Sequence, residues 1–139
     1  MKKVKRFCSG SIVLENNKML LTQRNDGRWE FPKGRIEFGE NPKNTSIREL
    51  FEETGLIALE TTFLGYSHTI NTYKETTTDL TCFLWLVTKF SGQIKLQTKE
   101  TKNYKWVTVS DALKLKPIHH NTLPVLLHFK NYGFTKMQG

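Results

Sequence analysis

Cysteine is scarce. The chain has two, Cys8 and Cys82, with no CxxC spacing, each in an apolar, strand-like context. That excludes a disulfide scaffold and gives no support to a zinc or dithiol centre, so two buried free thiols are expected. Long apolar runs are missing as well: nothing approaches the roughly 18 residues that span a membrane. The opening MKKVKRFCSGSIVL has basic residues and then an apolar run, but Ser9, Gly10 and Ser11 interrupt it and no small-residue cleavage site follows Leu14. This argues against a secretory leader and predicts a cytoplasmic location. There is no internal repeat, no low-complexity segment and no long basic run of the kind that forms a nucleic-acid-binding tail. Acids are few, 13 against 21 basic residues, for a formal net charge of +8. At 139 residues the chain fits one domain, residues 1–139, with room for a core.

The few acids are concentrated. Gly34 to Leu56, GRIEFGENPKNTSIRELFEETGL, holds five of the 13: Glu37, Glu40, Glu49, Glu52 and Glu53. An acidic focus in a basic body suits a metal site that handles polyanions. Asn41 is a good N-cap, Pro42 fits the first helical position and Gly55 is a left-handed stop, so a helix of about 13 residues is predicted between them. Ile47, Leu50 and Phe51 form its expected apolar face. Glu49, Glu52 and Glu53, at i, i+3 and i+4, share another face, offset so that core and carboxylates do not compete. Like charges at this spacing repel, and they occupy the last turn, where the helix dipole disfavours anions. Each penalty is roughly 0.3–1 kcal/mol in an exposed helix. Arg48 can pair with Glu52, yet one arginine cannot neutralise three acids. A hard divalent cation can, and oxygen ligands suit Mg2+ or Mn2+.

Around this helix the sequence reads as a mixed sheet between helices, an α/β architecture. Strands are predicted at Val4–Leu14 and Met19–Arg24, joined by an Asn16-Asn17 turn, with a short extended piece at Trp29–Phe31 stopped by Pro32. Leu56–Tyr66 is a further strand and the polar Thr69–Thr78 a loop or hairpin tip. Asp79–Thr88 is apolar on both faces and reads as a central strand. Gln93–Leu96 and Tyr104–Val107 complete the strands. Ser110 is the expected cap of a short helix to Leu115. Asn121 caps a final helix ending at Gly133, with Leu123, Leu126 and Leu127 on one stripe. His68, His119 and His120 lack metal-ligand spacing and read as surface or loop residues. Tyr66, Tyr73, Tyr104 and Tyr132 read as core or edge packing.

The spacing in Gly34–Leu56 is G-x5-E-x7-R-E-U-x-E-E-x-G-U, with U apolar. Seven fixed letters match a given start by chance with a probability on the order of 10⁻⁹ at ordinary residue usage. The stretch resembles the signature of the Nudix hydrolases, with every signature position present. The resemblance implies an α/β/α sandwich with a mixed β-sheet, and an enzyme that cleaves a phosphate–phosphate bond in a nucleoside diphosphate linked to another group. It implies that Glu49, Glu52 and Glu53 coordinate Mg2+ (or Mn2+), with Gly34 letting its backbone approach the metal. Arg48 would orient the glutamates and Glu40 would brace the loop or add an outer-shell contact. The base that activates water would be one of the helix glutamates or an acid on a later loop, for which Glu100, just before Tyr104–Val107, is the candidate. Lys33 and Arg35 flank Gly34 and could clamp phosphate oxygens.

Trp29-Glu30-Phe31-Pro32-Lys33-Gly34 looks like the entry to the box in dinucleoside polyphosphate hydrolases and in enzymes acting on RNA 5′ ends. Thr81-Cys82-Phe83-Leu84 with Gly92 is similar to the dinucleotide group, which often carries a base-stacking tyrosine near the position of Cys82 that this chain lacks. A dinucleoside polyphosphate such as diadenosine tetraphosphate is therefore the favoured substrate. An RNA 5′ pyrophosphohydrolase and a nucleoside triphosphate pyrophosphatase are the alternatives, and a non-catalytic nucleotide-binding regulatory module is the reading of another class.

Overall fold

The computed structural model describes residues 1–137. Strand β1 (Lys2–Glu15) organises the sheet. It runs parallel to β6 (Thr76–Ser91) from Lys2 to Val13 and antiparallel to β4 (Lys33–Arg35) at Cys8–Gly10. At Leu14 and Glu15 it turns onto β2 (Lys18–Arg24) through Asn16 and Asn17. Both asparagines have positive φ, 52° and 62°, as a two-residue hairpin turn requires. Strand β2 then pairs with β3 (Trp29–Glu30) and β7 (Thr101–Val107), while β5 (Ile57–Tyr73) pairs with the far side of β6. The result is a mixed sheet in the order β3-β2-β1-β6-β5; β6 is interior, between β1 and β5, with Leu80, Cys82 and Leu84 buried on one face and Phe83 and Trp85 only half-buried on the other.

Helix α1 (Pro42–Thr54) covers one face and α3 (Leu123–Tyr132) the other; α2 (Val109–Ala112) is a single turn beside α3. The α1 side is a small core of Val13, Leu20, Leu50, Leu56 and Val87. The α3 side is larger and holds Ile12, Phe31, Leu64, Leu84, Val125, Leu126 and Phe129 among others. Among the described residues no helix is long and apolar enough to cross a membrane.

The predicted bounds of α1 hold. Asn41 Oδ1 accepts the Asn44 N–H at 2.8 Å, and Gly55 closes the helix at φ 81° with its N–H on the Phe51 carbonyl, also 2.8 Å. The inner face differs from the one expected. It is Thr45, Ser46, Leu50, Glu53 and Thr54, while Phe51 is 47% exposed. The reason lies in β1, whose small polar residues form the seat: Ser9 Oγ donates to the Pro42 carbonyl (2.6 Å) and Ser11 Oγ reaches the Ser46 carbonyl (3.4 Å). Small partners let the helix sit close and turn Glu53 inward, so core and carboxylate share a face after all.

Several expectations are corrected. Of the two readings of Thr69–Thr78, the hairpin tip holds and the loop does not: β5 runs to Tyr73 and β6 starts at Thr76, leaving only Lys74 and Glu75 as the turn. β-Branched threonines sustain the ladder, with Thr72 and Thr77 hydrogen-bonded across it at 2.8 Å. Gln93–Leu96 is not a strand. That segment satisfies the end of α1, Lys95 N–H donating to the Thr54 carbonyl (2.7 Å) and Gln97 N–H to the Glu53 carbonyl (3.2 Å). Thr108, not Ser110, caps α2, its hydroxyl accepting the Asp111 N–H. Asn121 does not cap α3, whose buried residues are Val125, Leu126 and Phe129 while Leu123 and Leu127 stay over 40% exposed. Tyr73 and Tyr132 are exposed rather than packed. The thiols are free as expected; Cys82 is buried, Cys8 only half-buried.

One glycine governs how β4 crosses β1. A Cβ on Gly10 would lie 2.6 Å from Lys33 Cβ and 2.8 Å from the Pro32 carbonyl oxygen, a backbone atom that cannot swing away. Gly10→Ala is therefore expected to cost about 1–3 kcal/mol, the usual range for overpacking, read as a drop in Tm. An unchanged Tm would mean that β4 is free to lift from β1.

Candidate active site

Where β3 and β4 leave the sheet, a cleft of about 670 Å3 opens over the last turns of α1. Its lining includes Lys33, Gly34, Arg35, Glu49, Glu52, Glu53 and Glu100, residues singled out in the sequence, and also Cys8, Arg24, Leu80, Thr98, Lys99 and His119. The strands supply position and the helix supplies charge.

Arg48 is the hub of the helix carboxylates. Its Nε and Nη2 donate to the two Glu40 oxygens at 2.7 and 2.9 Å, and its Nη1 donates to Glu49 Oε1 (2.9 Å) and Glu52 Oε2 (3.1 Å). Nη2 also donates to the Arg35 carbonyl at 3.1 Å, tying α1 to β4. Thr45 Oγ1 adds a 2.6 Å bond to Glu40. With Arg48 and Thr45 donating to it, Glu40 is held down at about 2. The loop between β4 and α1 is thus pinned by one bidentate ion pair, the geometry in which arginine is strongest.

Glu53 is different. It is 9% exposed, and its Oε2 has no hydrogen-bond partner among the described residues. Burial, then the nearby Glu30 and Glu49 charges, push its carboxyl well above the usual range, while the Lys33 backbone N–H works the other way. Glu49 is raised too, mainly by burial and against the pull of Arg48. Glu52 is half-exposed. The helix adds to the strain: there is no basic residue in its last turn.

These residues fit a divalent cation. The donors are hard carboxylate oxygens, one of them buried without a partner among the described residues. Gly34 is packed against Glu49 so closely that a Cβ would fall 2.0 Å from the Glu49 Cδ. Only glycine leaves that cradle open. Among the described residues, no group of three His, Cys, Asp or Glu side chains is preassembled around one point. Glu49 and Glu52 each accept one hydrogen bond from Arg48 through a single oxygen.

Arg24 and His119, which line the cleft, and Glu30, buried beside them, are not among the candidates the sequence marks. Glu30 is 2% exposed and lies within 3.9 Å of Lys33 Nζ. His119, expected at the surface or in a loop, is in a loop but only 7% exposed, because its segment docks on β3: His119 N–H donates to the Trp29 carbonyl at 2.9 Å. Burial, then the Lys33 and His120 charges, lower its imidazole to about 2, so the ring is neutral. An acidic residue in the W-x-F-P-K-G entry was the available signal for Glu30. No local pattern marks His119, since its place depends on a distant strand. Asn121 braces the same wall, accepting from Ser67 Oγ (3.0 Å) and donating to Thr69 Oγ1 (3.0 Å). Glu100 is exposed at the rim, its carbonyl accepting the Asn25 N–H at 2.9 Å.

The family model for the NUDIX domain matches residues 6–129. The mouse (Mus musculus) bis(5'-nucleosyl)-tetraphosphatase [asymmetrical] is 35% identical over 101 residues, covering 69% of this chain and 67% of that protein. The 8-oxo-dGTP diphosphatase of Escherichia coli (strain K12) is 32% identical over 98 residues, covering 67% and 72%. Among solved structures, the MutT NUDIX hydrolase from Burkholderia pseudomallei shares the fold at a TM-score of 0.79 and 22% identity, over 89% of this chain and 97% of that one.

Proposed function

The chain belongs to the NUDIX family of pyrophosphohydrolases, and from that premise we propose that it cleaves a dinucleoside polyphosphate, diadenosine tetraphosphate being the favoured substrate, with Mg2+ or Mn2+. The observation that carries the metal-dependent reading is the unpartnered, buried carboxylate oxygen of Glu53 beside the Gly34–Glu49 contact. A stability-driven sequence would not place an anion there, and a divalent cation offsets it.

In this reading Glu49, Glu52 and Glu53 hold the cation, with the Gly34 backbone approaching it. A bound divalent ion neutralises phosphate charge and acidifies water. The chain's own residues do the rest. Arg48 keeps Glu49 and Glu52 oriented and anchors Glu40. Lys33 and Arg35 present cations to phosphate oxygens along β4. A carboxylate among Glu49, Glu53 and Glu100 takes the proton of the attacking water. If that is Glu100, Glu100→Gln lowers kcat by at least about tenfold with Tm unchanged, in the range of general-base contributions. A smaller loss makes Glu100 a rim residue.

The dinucleotide preference is supported by the mouse tetraphosphatase and by the Trp29–Gly34 entry. A nucleoside triphosphate pyrophosphatase is the second reading, favoured by a likeness to the E. coli diphosphatase of nearly the same degree. RNA 5′ ends are a third substrate class, which the +8 charge suits. A panel decides among them: dinucleoside polyphosphates, canonical and oxidised nucleoside triphosphates, nucleoside diphosphate sugars and 5′-triphosphate RNA, each with Mg2+ and with Mn2+. The highest kcat/KM is expected for diadenosine tetraphosphate. Preference for a triphosphate or for RNA would overturn the substrate, and no turnover of any would overturn the reaction.

A further inference from the structure

Four separate segments converge on one buried carboxylate. Glu30 ends β3, and its Oε2 faces Arg24 Nη1, at the end of β2, at 3.3 Å. Its Oε1 lies 3.9 Å from Lys33 Nζ on β4 and 3.9 Å from His119 Nε2 on the segment before α3. That oxygen has no partner at hydrogen-bond distance among the described residues. The His119 tautomer follows from its surroundings. The Asn121 N–H donates to Nδ1 at 3.1 Å, so the neutral ring carries its proton on Nε2, toward Glu30. Three donors, Arg24, Lys33 and His119, therefore face the carboxylate, and all three line the cleft.

Stability does not account for this arrangement. The closest approach is longer than the roughly 2.7–2.9 Å of a tight charge-assisted bond, and buried ion pairs seldom stabilise more than well-packed apolar residues would. What the arrangement does is order a lysine. A lysine side chain has a long flexible stem and loses much rotamer freedom when it is fixed on a ligand. Here the Lys33 side chain is 8% exposed and is already drawn to the cleft wall. Lys33 Nζ also lies 3.5 Å from His119 Nδ1, which engages one ammonium donor, and the 3.9 Å spacing to Glu30 leaves the other two for other acceptors.

We infer that Glu30 is a positioning residue: it holds the Lys33 ammonium, with Arg24, at the cleft wall facing the substrate phosphates, without touching substrate or metal itself. The inference rests on the polyphosphate reading above. It gives Glu30 an effect on phosphate affinity that acts through Lys33.

The test is calorimetric titration of α,β-methylene-ATP, in the presence of Mg2+, into wild type, Glu30→Gln, Lys33→Met and the double variant, with Mn2+ affinity measured separately. Glu30→Gln is expected to weaken analogue binding by about tenfold or more, with Mn2+ affinity within about twofold of wild type. The double variant is expected to bind no more weakly than Lys33→Met, because neighbours acting through one group are not additive. Glu30→Asp, which keeps the charge but withdraws it, should fall between wild type and Glu30→Gln, and it carries the comparison if the glutamine variant does not fold. Wild-type affinity in the Glu30 variants overturns the inference, as do additive losses. A parallel fall in Mn2+ affinity also overturns it, by making Glu30 a metal ligand. Failure of the wild type to bind the analogue overturns the polyphosphate reading instead.

Discussion

Glu53→Gln is expected to lower kcat by on the order of 10³ or more, while the metal-free protein becomes more stable at neutral pH. The loss follows from the assignment of Glu53 to the metal: a bound cation contributes several kcal/mol to the transition state, and about 4 kcal/mol is on the order of 10³ in rate. The gain follows from burial. The Glu53 carboxyl is raised in the fold, first by burial and then by Glu30 and Glu49. Between its unfolded and folded values the native state binds the extra proton, so stability falls as pH rises through that window and stays lower above it. Glutamine carries no charge to bury, so the penalty disappears. In a chain of this size each kcal/mol relieved raises Tm by about 4 °C. Mg2+ should raise the Tm of the wild type and leave that of the variant nearly unchanged, since only a site that binds gains stability by mass action. A variant with both wild-type kcat and wild-type Tm would remove Glu53 from the site.

Gly34→Ala separates catalysis from folding in a different way. The added Cβ would fall 2.0 Å from Glu49 Cδ and 2.2 and 2.5 Å from its two oxygens. These atoms form the end of a flexible side chain, so Glu49 swings aside and the backbone stays. No left-handed φ is required at Gly34, and the substitution adds no backbone strain there. The Tm should change little, in contrast to Gly10→Ala, where the clash is with backbone. Activity should fall by about 10²-fold or more, the scale on which a displaced group costs a preorganised site. Equal activity in Gly34→Ala would mean that the Glu49–Gly34 contact plays no part in the chemistry.

The contrast between these two glycines also marks what could be read from the sequence. Helix α1 was legible to the residue because its ends are set by local chemistry, Asn41 and Pro42 at one end and Gly55 at the other. The carboxylate spacing was legible for the same reason. Which of the three glutamates would be buried was not. That depended on Ser9 and Ser11 of β1, far away in sequence, drawing α1 down and turning Phe51 outward. The polar run through Thr72 and Thr77 hid a strand, because its stability comes from the cross-strand partner. His119 and Glu30 were invisible as a pair for a like reason: they meet only because the segment after α2 lies along β3. Residues that act within one helix show in a one-dimensional pattern, whereas residues that act across strands do not.

In the proposed reading, the end of α1 binds a divalent cation through Glu53 and the space beside Gly34. Calorimetric titration of Mn2+ into metal-free wild type, Glu53→Gln and Gly34→Ala, at neutral pH and without substrate, tests it most directly. Saturable binding is expected for the wild type, with affinities weaker by about tenfold or more in both variants, each still folded. Equal Mn2+ affinity in all three proteins, or no binding by the wild type, would contradict it.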